Sequence, residues 1–255
     1  PPRSTLFPYT TLFRSPYTTR PLREADRETL EHAVEPGHRV VWISGRKKIG
    51  SMARLLFSSA HIRLTIPEAY AVHKRIIQWD SHFSSDRIPD RAVGLDDVNL
   101  KSMRWAMKSW ERIEFVNRFL AGTVMPRIML DLIPGLKCAA HFLIVADKQP
   151  ESLRDYLDAG RSLQRFWLTA TRLGLQFQPE MTPLIFSRYA TEGRQFTNDR
   201  KALQNAGRLK QRLELLVGKG NLSTAVFMGR IGYGGYPTSR SVRLPVTELI
   251  ETKRT

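Results

Sequence analysis

Apolar side chains recur along this chain with the two periods that separate helices from strands. The clearest helical pattern is ESLRDYLDAGRSLQRFWLTATRLGL, where Leu153, Tyr156, Leu157, Gly160, Leu163, Trp167 and Ala170 follow a 3.6-residue period. Ser152 and Asp155 open it as a capping box, and Gly174 stands at the C′ position. The helix from Ser152 to Leu173 is expected to be the most buried element. Asp26 reads as the N-cap of an earlier helix, with Leu30 and Val34 on one face and Gly37 beyond its end. Ser51–Ile62 and Pro67–Asp80 read as two more, the second with Tyr70, His73, Ile76 and Ile77 on one face and Pro67 in its first turn. Val98–Leu120 reads as one helix carrying Leu100, Met103, Met107 and Trp110, stopping before Gly122. Asn198–Val217 turns Leu203, Leu209, Leu213 and Leu216 toward a core and a basic face outward.

Strands are expected at Arg39–Ser44, within GLKCAAHFLIVAD up to about Ala146, and at Thr224–Ile231. Gly45–Gly50 reads as a basic loop, Ser81–Asp97 as a long connection, and QFQPEMTPLIF as a proline-punctuated extended stretch. Long helices alternating with strands, with no clean boundary from Pro16 to Glu251, argue an α+β or α/β domain rather than a bundle. Residues 1–15 stand apart. TLF occurs at Thr5–Phe7 and Thr11–Phe13, and PYTT begins at Pro8 and again at Pro16. So short a pattern has no room to be a structural repeat. It resembles a translated adapter or cloning scar, expected to be a disordered, non-native leader to a domain spanning 16–255.

The 255 residues include 42% apolar and 25% charged side chains, enough apolar material for a core and against wholesale disorder. One cysteine, Cys138, excludes a disulfide framework and a multi-cysteine metal site. The six histidines form no HExxH pattern, so no metal is expected, and there is no GxSxG elbow. Cys138 opens an apolar strand and reads as a small buried hydrophobe. Glu68, Asp80 and Glu180 cannot be paired by spacing and stay unassigned. The longest apolar stretch, Cys138–Ala146, is far short of the ~20 residues that cross a bilayer. With no signal-peptide pattern either, the expectation is a cytoplasmic protein with no membrane partner.

The formal charge of +16 leaves two readings, a polyanion partner or an anionic cofactor on a basic surface. The basic residues are scattered and no recognition motif accompanies them, so nucleic acid is not the expected partner, and a basic nucleic-acid-binding protein is kept as the lesser alternative. GYGGYP at Gly232–Pro237 is not a dinucleotide fingerprint, because no helix follows it. A glycine-rich turn still lets a backbone approach a ligand, and Arg240 and Arg243 follow it. Their planar forks suit a phosphate, against the plainer reading of a solvated basic tail. Gln176 and Gln178, beyond a helix end, could read the donor–acceptor edge of a planar heterocycle, against the plainer reading of a polar loop.

Two of these segments together resemble the flavin-dependent nitroreductase family. Ala159, Gly160, Gln164, Leu168, Ala170, Gly174 and Leu175 match its pattern AG-x-x-x-Q-x-x-x-L-x-A-x-x-x-GL. Arg230, Gly232, Tyr233, Pro237, Arg240, Arg243 and Pro245 match its closing strand and tail. RPLREADRETL, WDSHFSSDRIPDRAVGLD and QRFWLTAT resemble more narrowly a divergent branch found fused behind ThiF/MoeB-like adenylating domains and named as molybdopterin biosynthesis proteins. The resemblance implies an α+β nitroreductase-like fold with a central sheet flanked by long helices. It implies an oxidoreductase that binds FMN, takes hydride from NAD(P)H and passes it to an unidentified small-molecule acceptor. The alternative it allows is a non-catalytic flavin-fold module beside the adenylating domain. It places Arg240 and Arg243 near the FMN phosphate and Gln176, Gln178 and Pro179 near the isoalloxazine. It names no catalytic side chain, since the flavin carries the chemistry. It further implies a homodimer or a fused ThiF/MoeB-like partner. The family's opening Arg-rich segment and Asn-x-Gln-Pro-Trp type motif are absent, which implies a domain incomplete at its N-terminus.

Overall fold

The structure is a computed structural model that describes residues 17–120, 122–235, 239–242 and 244. The expected leader and Arg243 lie outside them. In chain order the elements are α1 (Glu24–Glu31), β1 (His38–Ile43), α2 (Arg46–Thr65), α3 (Pro67–Ile76), β2 (Ile77–Gln78), β3 (Phe83–Ser84), β4 (Ile88–Pro89), α4 (Asp97–Ala106), α5 (Trp110–Phe119) and α6 (Val124–Arg127). A π-helical turn, Ile128–Leu132, joins α6 to α7 (Ile133–Lys137). There follow β5 (Ala140–Ala146), α8 (Leu153–Arg172), β6 (Leu175–Pro179), α9 (Met181–Thr191), α10 (Arg200–Val217), α11 (Lys219–Ser223), β7 (Ala225–Tyr233) and β8 (Arg240–Ser241). The class is α+β, as the alternating pattern implies.

Four strands form an antiparallel sheet in the order β1-β5-β7-β6. Helices cover both of its faces. Ile43, Leu143, Val145 and Met228 point into a core closed by α2, α9 and α10. Phe142, Ile144, Phe177, Phe227 and Ile231 point the other way, onto Leu30 of α1 and Phe166 and Ala170 of α8. Double coverage explains why β5 reads as an unbroken apolar run rather than an alternation. Phe142 is central to the second core, with its ring stacked 4.6 Å from Phe166.

Several expectations are corrected. The most buried element is β5, not α8. At about 1.5 Å per residue a 20-residue helix is about 30 Å long, whereas the five residues of β6 beneath it cover about 17 Å. The first half of α8 overhangs, leaving Leu153 75% and Leu157 61% exposed. Its capping box at Ser152 and Asp155 forms as read. Val98–Leu120 is two helices, because the Ser109 hydroxyl accepts from Arg112 N–H and caps a second start. The basic loop after Gly45 is the first turn and more of α2. The second half of QFQPEMTPLIF is helical, with Pro183 in the first turn of α9, where its missing N–H costs nothing. Asp26 is not an N-cap. It lies inside α1, 3% exposed, where its carboxylate accepts from both the Nε and Nη2 of Arg23 at 2.9 Å and from the Tyr233 hydroxyl at 2.7 Å.

Candidate functional site

Three neighbouring strands of the sheet, β5, β7 and the edge strand β6, carry polar residues among apolar ones, and the fold brings these together. On β6, Leu175 and Phe177 face α8, so Gln176 and Gln178 face the other way. Cross-strand pairing sets Gln178 opposite Arg230 of β7, and Arg230 opposite His141 of β5. Glu180 follows β6 directly and turns back onto the same face, its N–H bonded to Met228 O at 2.8 Å.

The result is one buried network. Arg230, 2% exposed, donates from Nη1 to Glu180 Oε1 at 2.9 Å, from Nε to Gln178 Oε1 at 3.0 Å and from Nη2 to Leu130 O at 3.3 Å. His141, fully buried, donates from Nδ1 to Glu180 Oε2 at 2.7 Å and from Nε2 to Gly135 O at 3.0 Å. With both ring nitrogens facing acceptors, the ring is an imidazolium. The Cys138 thiol donates to the same Gly135 oxygen at 3.3 Å and lies 3.5 Å from His141 Nε2. The roof is the π-helical turn and α7, set down on α2 at Gly135, where a Cβ would meet Ala53 Cβ at 3.2 Å.

Charge balance follows from this geometry. Burial disfavours the charged form of His141, but the Glu180 carboxylate and then Cys138 outweigh it and hold the ring at about 10. Burial likewise pushes Glu180 up, while His141 and then Arg230 outweigh it and keep its carboxyl below the ordinary 4.5. Tyr17 closes one side. Burial drives its phenol well above the ordinary range, with the Arg230 charge pulling against that. The Tyr17 ring sits where a Cβ on Gly232 would meet it at 2.9 Å.

The sequence-read candidates divide accordingly. Gln176, Gln178 and Pro179 share β6. Gln178 is 2% exposed and its amide oxygen is held by Arg230, so its edge is spent inside the protein. Gln176 and Pro179 are half-buried and reach toward the surface. Arg240 lends its backbone to β8, paired with Phe83 of β3 in a separate two-stranded ribbon, and its side chain lies outside the described positions. A cleft of about 600 Å³ opens between α1 and α8, lined by His32, Arg165 and Arg172 among others, on the face opposite Gln176. Among the described residues, no group of three or more His, Cys, Asp and Glu is placed to hold a metal, and no single helix is long and apolar enough to cross a membrane.

His141 and Glu180 were not assigned from sequence, although a signal existed. A single histidine interrupts the run AAHFLIVA, and Gln178 and Glu180 stand two apart at a strand end. Polar residues placed this way in covered strands must find one another.

No family model and no curated protein matches the chain. Among solved structures it is similar to a nitroreductase-like family protein from Bacillus cereus, at 12% identity over 98% of this chain and 100% of that one, TM-score 0.44. It is similar also to the FMN-dependent nitroreductase NfnB from Mycobacterium smegmatis in complex with NADPH, at 16% identity over 95% of each chain, TM-score 0.46. A third is the FMN and NADPH-dependent nitroreductase NfnB from sphigopyxis sp. strain HMH, at 15% identity over 96% of each chain, TM-score 0.47.

Proposed function

We propose that this protein is a nitroreductase-like oxidoreductase that holds FMN and passes hydride from NAD(P)H to a small-molecule acceptor. The observation that carries the reading is a meeting of two motifs. The pattern from Ala159 to Leu175 and the pattern from Arg230 to Tyr233 are far apart in sequence, yet they end on neighbouring strands, with Leu175 opposite Tyr233, Gln176 opposite Gly232 and Gln178 opposite Arg230. Bound FMN would supply a ring that accepts and releases hydride, which the side chains themselves cannot do.

The chain's residues fit such a ring in part. Gln176 offers an amide with both donors and an acceptor, whereas Pro179, three residues on, turns to the other face of β6. Gln178 acts from behind, fixing Arg230. Arg240 and Arg243 are assigned to the phosphate on the strength of their chemistry and place in the motif. Exposed apolar side chains on α5 and on the first half of α8, among them Phe115, Phe119, Leu153 and Leu157, support a homodimer.

The test is reconstitution. The protein is incubated with FMN, freed of excess by gel filtration and scanned for bound flavin, then assayed for NADH and NADPH oxidation with a nitroaromatic acceptor. Retained flavin and acceptor-dependent oxidation are expected, with Gln176→Ala lowering flavin retention at least tenfold. A chain that retains no flavin overturns the reading. A flavin-loaded chain inert toward every acceptor supports instead the non-catalytic module beside an adenylating partner.

A further inference from the structure

The charge that looks scattered along the sequence is gathered by the fold. Helix α2 carries five Lys and Arg residues and no carboxylate, and α10 carries five against the single Glu214. The two helices pack on the same core and touch at the surface, where Arg212 Nη1 donates to the Ser58 hydroxyl at 3.1 Å. At about 100° per residue, Lys47, Arg54 and Ser58 fall within about 40° of one another on α2. Lys201, Arg208 and Arg212 fall within the same arc on α10. Two cationic stripes, each about 16 Å long at 1.5 Å per residue, thus meet at the Ser58–Arg212 contact.

Lys47, Arg54, Lys201, Arg208 and Arg212 are all exposed, and among the described residues none is ion-paired. The nearby acids are occupied. Asp199 caps α10 by accepting from Lys201 N–H and Ala202 N–H, and Glu214 pairs with Lys210 at 3.6 Å. Like charges left unpaired in two converging rows destabilise a fold by mutual repulsion, and a polyanion relieves it.

We propose that the α2–α10 face is a docking surface for the phosphate backbone of double-stranded nucleic acid. The chemistry favours a duplex over a single strand, because the stripes offer no free aromatic ring on which to stack a base. Phe57 of α2 lies beneath the Arg127 guanidinium at 3.7 Å, and α10 has no aromatic residue. It favours a duplex over a lipid surface, because an interfacial helix must lay a continuous apolar face into the headgroups, and α2 and α10 spend their apolar residues on the core apart from the single exposed Leu215. The surface shares no residue with Gln176, Pro179 or the terminal arginines, so it stands independently of flavin binding.

The test is fluorescence anisotropy with a labelled DNA duplex of ~20 bp and arbitrary sequence, titrated from about 50 to about 200 mM salt. Five phosphate contacts at a slope of about −0.9 each weaken binding roughly 10²–10³-fold over that range. The variant Lys47→Gln/Arg54→Gln/Lys201→Gln/Arg208→Gln is expected to lose about 3.6 from the log–log salt slope. A control with Lys101→Gln, Arg118→Gln, Arg154→Gln and Arg172→Gln has the same net charge and is expected to keep most of the slope. Equal weakening by the control overturns the proposal, since net charge would then suffice. So does binding to phosphatidylserine vesicles without binding to the duplex. Acetylation footprinting of the unsubstituted protein needs no variant to fold. The duplex is expected to protect Lys47 and Lys201 but not Lys101 or Lys148, and uniform protection or none overturns the assignment.

Discussion

Desolvation acts on two histidines in this molecule, the fully buried His141 and the half-buried His73, with opposite consequences. His141 has Glu180 against Nδ1 and keeps its proton to about 10, whereas no described acid offsets the burial of His73, and burial, then the Arg63 charge, hold it near 4. Linkage fixes the signs. For His141 the folded value lies above the unfolded 6.5, so its contribution is complete below 6.5 and is lost as pH rises through about 10. For His73 the unfolded chain takes up a proton that the folded one refuses, so stability falls as pH drops from 6.5 toward 4. His61 acts in the same direction as His73, again through burial and then Arg127. Below 4.5 the protonation of Glu180 adds a further loss. Urea unfolding across pH is expected to give a maximum near 6.5, with an acid limb made shallower by His73→Gln and the loss between 6.5 and about 10 abolished by His141→Gln. An acid limb unchanged in the His73 variant would refute the assignment.

At the scale of elements, glycine shows how the same change reverses sign with its surroundings. On β7 a Cβ at Gly232 would meet the Ala139 backbone nitrogen and the Tyr17 ring, both at 2.9 Å. Gly232→Ala is therefore expected to destabilise by about 1–3 kcal/mol, because backbone cannot step aside. In α8 a Cβ at Gly160 meets nothing within 4 Å, and Gly160→Ala is expected to stabilise by up to about 1 kcal/mol through helix propensity. Denaturant midpoints of the two variants check both. The same local logic explains what could be read in advance. The covered strands and the capping box of α8 are written in short-range pattern and were legible, as were the polar amides of β6. The split at Ser109, the start of α9 at Met181 and the early start of α2 were not, since each depends on whether a serine, proline or glycine ends one helix or begins another. The ion network was not legible. Gln178 was picked out for a planar heterocycle, and its partner Arg230 lies 52 residues away, brought to it only by the strand order β5-β7-β6.

For the whole molecule, the excess of 40 Lys and Arg over 24 Asp and Glu is the dominant long-range term. Much of the acid is committed locally, as with Asp26 on Arg23, Glu180 on Arg230 and Asp155 in the cap of α8, so the uncompensated charge lies outside, most densely on α2 and α10. A compact body with this balance repels itself more than its expanded chain does. Screening shortens that repulsion, the Debye length falling from ~30 Å at 0.01 M to ~8 Å at 0.15 M ionic strength. The buried Arg230–Glu180–His141 network is shielded from the same ions and keeps its strength. Stability at neutral pH is therefore expected to rise with sodium chloride over this range, the reverse of a protein held by surface ion pairs. Replacing Lys47, Arg54, Lys201 and Arg208 by glutamine is expected to flatten that rise. Urea midpoints measured against salt for both proteins decide it, and a midpoint that falls with salt would mean that exposed pairs such as Arg104–Asp80, rather than net repulsion, govern the fold.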